Sequence, residues 1–131
     1  MLQGAATLRA PGPWLGWITT YGYVENVGAA IAHAANHPKA RRRLFNVADE
    51  PPMNHRRWVE RIASSQNWMG SVEVSDDPAN PVARAVGRLN LTANLALNAD
   101  RLFQDLNFAP PVDAATAIRL TIQDERDRSR T

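Results

Sequence analysis

The scarcity of large apolar side chains limits this chain more than any other feature. Of 58 hydrophobic positions among 131 residues, 21 are alanine, leaving 37 larger side chains. Leu, Ile, Val and Phe together make 28 residues, roughly 21% and just above the level at which sequences lose a packed core. A net charge of +2 adds little self-repulsion. The chain can therefore build a core, but a thin one, and a thin core points to a partner surface. Its length suits one domain, residues 1–131, and is short for two.

Other classes fall away on composition. No run of about 18 apolar residues occurs, so no membrane-spanning helix is expected. Met1 to Trp17 holds Arg9, Pro11 and Pro13 but no continuous apolar stretch, which argues against a secretory leader. With no cysteine, disulfides, thiolate metal sites and cysteine nucleophiles are excluded. A cytoplasmic setting is the expectation. The pI of 9.7 reflects 14 arginines, which do not titrate, set against 13 acids. The charge asymmetry along the chain is mild, and neither nucleic acid nor membrane is an expected partner.

Punctuation and periodicity divide the chain. Residues 1–16, rich in Gly and Pro, read as irregular, and so do residues 75–94, where Asp76-Asp77-Pro78 and Asn80-Pro81 mark a loop. Trp17 to Thr20 is a candidate strand. From Glu25 to His37, Val27, Ala30, Ile31 and Ala34 recur at helical spacing, with Asn26 as the candidate cap and Pro38 as the stop. Leu44 to Val47 reads as a short buried strand. Asn54 caps a second helix, about His55 to Gln66, with Trp58, Val59, Ile62 and Ala63 along one face. Val72 and Val74 alternate with Glu73 in a half-exposed strand after Gly70. A third helix, capped by Asn98, carries Leu102, Phe103 and Leu106 inward and leaves through Asn107 in the left-handed region. Asp113 caps a last helix whose tail, Asp124 to Arg130, should be solvated. Three to four helices with two or three short strands predict an α/β chain, α+β as an isolated piece.

Chemistry-bearing motifs are few. The seven glycines never form the glycine-rich turn that admits a pyrophosphate, and no phosphate loop is present. His33 and His37 have the i, i+4 spacing of zinc ligands, but the apolar face on Val27, Ala30, Ile31 and Ala34 predicts that both imidazoles point to solvent. No metal is expected. Lys39 and Arg41 to Arg43 read as a solvated basic loop without an interleaved aromatic. Asp49-Glu50 and Asp76-Asp77 are loop neighbours, which seldom converge on one reacting atom. The aromatic cluster Trp14, Trp17, Tyr21 and Tyr23 can wall a ligand pocket or simply pack around a loop.

The order of the pieces resembles the NAD-dependent epimerase/dehydratase family, the extended short-chain dehydrogenases. The stretch from Tyr23-Val24-Glu25-Asn26-Val27 to Ile31 is similar to that family's Y-V-x-D-V-A-x-A helix opening. Arg43 to Glu50 resembles its G-x-x-Y-N-V-G strand, and Asn54 to Ala63 the helix that follows. Asn98 to Pro110 is similar to D-x-S-K-x-x-x-x-L-G-Y-x-P, and Thr121 to Arg126 to the closing T-I-x-W-x-R. The resemblance implies the C-terminal, substrate-binding portion of that fold without its Rossmann half. It implies NAD or NADP for the complete protein and none bound by this chain alone. No Tyr here has a Lys four residues on, since Glu25 and Val27 occupy those positions, so no catalytic residue carries over. Residues implied near a carbohydrate-like or other hydroxyl or keto substrate are Trp17, Tyr21, Tyr23 and Asn26. The implied partner is the missing Rossmann half or a second copy; the alternative function is a non-catalytic interaction module.

Overall fold

The structure, a computed structural model, describes residues 6–49 and 51–129. It is a mixed α/β architecture with six helices and a few short strands among the described residues. Expected as one domain, the chain clusters into two compact units, Met1–Thr19 with Met53–Leu95 and Thr20–Pro52 with Ala96–Thr131. Six of the thirteen buried hydrophobic residues among the described residues are alanine, so the buried apolar volume is small.

The first unit carries all the strands. β1 (Thr7–Ala10) pairs in parallel with β4 (Ser71–Val74), Thr7 opposite Ser71 and Ala10 opposite Val74. β2 (Ile18–Thr19) pairs antiparallel with β3 (Met53–Asn54), and Leu95 bridges Thr19. Residues 6–16, expected as irregular, hold β1 and a short helix α1 (Gly12–Gly16). Nothing local signals β1; its partner lies 64 residues away. In α1 the proline that reads as a breaker sits in the first turn, where its missing N–H costs nothing. Residues 1–5 of that expectation lie outside the described residues.

The same reversal occurs at Asn80-Pro81. Asn80 accepts from the Val82 and Ala83 N–H groups and Pro81 opens α4 (Pro81–Val86), a helix inside a stretch read as loop. α3 (His55–Ser65) starts where expected, with Asn54 accepting from Arg57 N–H. Its buried face is His55, Val59 and Ala63, with Trp58 and Ile62 half-buried beside it. Gly70 is required by close approach, because a side chain there would strike the Trp68 ring and the Ala6 carbonyl.

The second unit is helical. α2 (Val24–Asn36) runs into a 3₁₀ turn (Pro38–Ala40), and α5 (Asp100–Leu106) and α6 (Ala114–Arg128) complete it. Ala30, Leu102, Leu106 and Phe108 form its core, with Phe45, Val47 and Phe103 packed against them. α5 ends on Asn107 at φ 51 and ψ 38, the left-handed exit expected of it. Asp113 caps α6 by accepting from Thr116 N–H. Three expectations fail here. Tyr23, not Asn26, is the N-cap of α2, and Asn26 is completely buried inside the helix. Asn98 lies one residue before the cap of α5, yet its Oδ1 still takes the Asp100 N–H at 2.7 Å. Leu44 to Val47 forms no ladder, and Leu44 is 87% exposed, because no strand among the described residues pairs with it.

Candidate functional site

The second unit contains a groove of about 380 Å³, within the range that accepts a small ligand. Two segments build it. The first is Ala48, Asp49, Pro51 and Pro52; the second runs from Ala96 to Asp100 and adds Phe103 from α5. The prolines give the first wall a fixed backbone. The second wall is fixed by Asn98, which uses its amide at both ends. Its Oδ1 accepts from Asp100 N–H, and its Nδ2 donates to Asp100 Oδ2 at 3.0 Å. Asn46 joins the two segments by donating from Nδ2 to the Asn98 carbonyl at 3.0 Å. Leu97, Phe103 and the prolines supply apolar surface, and Asp49, Asn98 and Asp100 supply polar atoms at its edge. Among the described residues, Asp49 and Asp100 are the ionisable groups in the lining.

Asp49 also holds the segment where substrate contacts were expected. Its Oδ2 accepts from Tyr23 N–H at 2.6 Å, and its own N–H donates to the Tyr21 carbonyl at 3.1 Å. Tyr21, Tyr23 and Asn26 share this unit; Trp17 belongs to the other one. There the Trp17 Nε1–H donates to the Ala93 carbonyl at 2.6 Å, and the ring tilts against His55 at 5.3 Å. The Tyr21 hydroxyl is buried, and burial pushes its pKa up to about 12. Tyr23 donates from its hydroxyl to Glu25 Oε1 at 3.4 Å; desolvation, then the Glu25 charge, raises its pKa. Asn26 spends its amide on Val112: Nδ2 donates to the carbonyl at 2.8 Å, and Oδ1 accepts from the N–H at 3.0 Å. None of the four lines the groove.

The groove residues escaped the reading of the sequence. Asp49 stood out only as one of two neighbouring acids, the other being Glu50, which lies outside the described residues. Asn98 stood out only as a cap. Asp77 of the second acid pair accepts from Ala79 N–H and shapes a turn.

His33 corrects the expected facing of α2. It is half-buried, with Nε2 2.8 Å from the Leu106 carbonyl and its ring 5.5 Å from that of Phe108. Ile31, assigned to the core face, is 62% exposed. The helix thus turns Asn26, Ala30 and His33 inward, because two polar side chains on that face find backbone partners. His37 Nδ1 accepts from Lys39 N–H, and among the described residues no group of three or more His, Asp or Glu could hold a metal. The basic loop does acquire an aromatic: the Arg43 and Arg101 guanidiniums lie 5.4 and 5.6 Å from the centre of the Phe45 ring, and both pair with Asp105.

A dinucleotide needs a cradle of free backbone N–H groups at a helix start. Of the first-turn N–H groups, that of Arg57 in α3 is met by Asn54, those of Val82 and Ala83 in α4 by Asn80, and that of Thr116 in α6 by Asp113. The first turn of α2 has no side-chain cap, and it carries Glu25, whose charge opposes a phosphate. No described helix is long and apolar enough to cross a membrane. Comparison with family models, with curated proteins and with solved structures finds no match.

Proposed function

We propose that this chain is the substrate-binding portion of a protein of the NAD-dependent epimerase/dehydratase kind, working in the cytoplasm. Its groove takes a small hydroxylated or keto compound that this chain alone does not convert. The observation that carries the reading is the double hydrogen bond between Asp49 and the Tyr21–Tyr23 segment. It ties the stretch that resembles the family's substrate-side helix opening to the wall of a ligand-sized groove. The polar edge suits hydroxyl groups, which donate to carboxylates, and the prolines and Phe103 suit the C–H face of a sugar-like ring. Two carboxylates with no Tyr–Lys pair give binding without hydride transfer. NAD or NADP and its Rossmann half would come from other residues than those described.

The test is an amide-resolved NMR titration with monosaccharides, their keto derivatives and the free dinucleotide. Shifts are expected at Leu97 to Asp100 with a hydroxylated compound, weakened in Asp49→Asn, and none with the dinucleotide. A flat response at these amides across the panel sinks the ligand site, and dinucleotide binding by this chain sinks the division of labour. A second reading, an interaction module, is favoured by Val24 and Ile31, 75% and 62% exposed two turns apart on α2.

A further inference from the structure

The groove of the second unit carries charge of one sign. Asp49 and Asp100 line it, and no described Lys, Arg or His does. The arginines closest in sequence are engaged elsewhere. Arg101 Nε pairs with Asp105 at 3.7 Å, its guanidinium lies 5.6 Å from the centre of the Phe45 ring, and Arg43 pairs with the same Asp105 carboxylate. Each lining carboxylate uses one oxygen on the fold: Asp49 Oδ2 accepts from Tyr23 N–H, and Asp100 Oδ2 from Asn98 Nδ2. Each keeps Oδ1 without a hydrogen bond from a described residue. Asp49 is half-buried and most of the remaining wall is apolar, so these charges are screened less there than on an open surface.

We propose that the compound this groove takes is a small amine: a hydroxylated, sugar-like ring carrying a protonated amino group. The inference rests on reading the groove as a ligand site and narrows its ligand from polar compounds in general to cationic ones. An ammonium brings three N–H donors and no acceptor, which matches carboxylate oxygens that can only accept. Such a bond is charge-assisted and about twice as strong as one between neutral groups. Leu97, Phe103 and the prolines remain for the C–H face of the ring. A phosphate or carboxylate is disfavoured, because it meets two like charges and no described cation in the lining to offset them. A neutral sugar is tolerated, but its hydroxyls leave both negative charges uncompensated.

Amide-resolved NMR titrations of the whole chain, slightly below neutral pH and in low salt, test this. D-glucosamine is compared with D-glucose, N-acetyl-D-glucosamine and D-glucuronate, and D-galactosamine with D-galactose. Each amino sugar should bind about tenfold tighter than its neutral parent, with shifts centred on Leu97 to Asp100. Acetylation removes the positive charge and keeps the ring, so it should return affinity to that of the neutral parent or below. The uronate should bind weakest. Asp49→Asn and Asp100→Asn keep an acceptor for Tyr23 N–H and Asn98 Nδ2 while removing one charge each. Each should cut the ratio of amine to parent affinity about threefold, and the double variant should bring it near unity. That ratio reports charge and is unmoved by a general loosening of the groove. The wild-type comparison needs no variant, so the test stands should a variant fail to fold. Amino sugars no tighter than their parents, an acetylated form as tight as the amine, a uronate tighter than either, or shifts away from Leu97 to Asp100 overturn the inference. Where a neutral sugar still shifts these amides, the groove itself survives as a ligand site; a flat response from every sugar takes down both.

Discussion

Asn26→Ala should destabilise the second unit out of proportion to the atoms removed. The wild-type amide is completely buried and makes two hydrogen bonds to Val112, at 2.8 and 3.0 Å. Each is worth roughly 1 kcal/mol net, and stranding the half-buried Val112 N–H and carbonyl adds a desolvation cost, for a total of about 2–4 kcal/mol. For a unit of this size that lowers the melting point by about 10 °C or more. The assay has natural reporters: all four tryptophans lie in the first unit and both tyrosines in the second. Circular dichroism with tyrosine fluorescence should record the loss. Asn26→Asp sharpens the reasoning, because the shapes match but an ionised carboxylate cannot donate to the Val112 carbonyl. Burial and that carbonyl raise the new carboxyl's folded pKa above its unfolded value of about 3.9. Stability is then retained below the unfolded pKa and lost as pH rises through the folded one. Relative to wild type at each pH, Asn26→Asp should be nearly normal in acid and crippled at neutrality. A melting point for Asn26→Ala within about 2 °C of wild type, or an Asn26→Asp deficit that ignores pH, would refute the clamp.

Three further outcomes are expected. Leu102→Ala empties a site that is 1% exposed in the second unit's core and should cost about 3–5 kcal/mol, enough to leave that unit largely unfolded in denaturant titrations at room temperature. Asn107→Gly should hold or slightly raise the melting point, and Asn107→Ala should lower stability by about 1 kcal/mol, because the backbone there sits at φ 51. His55 is buried against Trp14 and Trp17, and desolvation lowers its pKa in the folded chain. The unfolded state therefore binds the proton first, so this contribution is present above the ordinary value of about 6.5 and is lost as pH falls from there toward the lowered folded value. Tryptophan-monitored stability should fall with acid through that window, and His55→Phe should flatten the decline.

Local signals survived folding well. Asn54, Asp113 and Asn107 each do what their residue types do at helix ends, and Pro38 follows the end of α2 as its stop. Failures came where a residue's role depends on something distant. β1 exists because β4 does. The facing of α2 was misassigned because its buried side includes an asparagine and a histidine whose partners, Val112 and Leu106, lie 86 and 73 residues away. Hydrophobic periodicity cannot count a polar side chain as buried unless its partner is known. The groove was invisible for the same reason, since its walls are two loops that meet only in space.

Asparagine links these misses. Beyond capping α3 and α4, asparagine side chains reach across the sequence within each unit. In the first unit Asn80 donates to the Arg9 carbonyl at 2.9 Å and Asn94 accepts from Ile18 N–H at 3.0 Å. In the second, Asn26 clamps Val112 and Asn46 holds the Asn98 carbonyl. An amide has a donor and an acceptor on one rigid plane, so it can take the place of a missing ladder neighbour for an irregular backbone. A chain this poor in large apolar groups gains little by burying more alanine, about 25 cal/mol per Å² of apolar surface. A well-placed amide that meets otherwise stranded backbone groups can contribute as much as a buried methyl group. The same economy explains the segment at 44–48. Asn46 spends its amide on the Asn98 carbonyl, and the backbone of its neighbours finds no partner among the described residues.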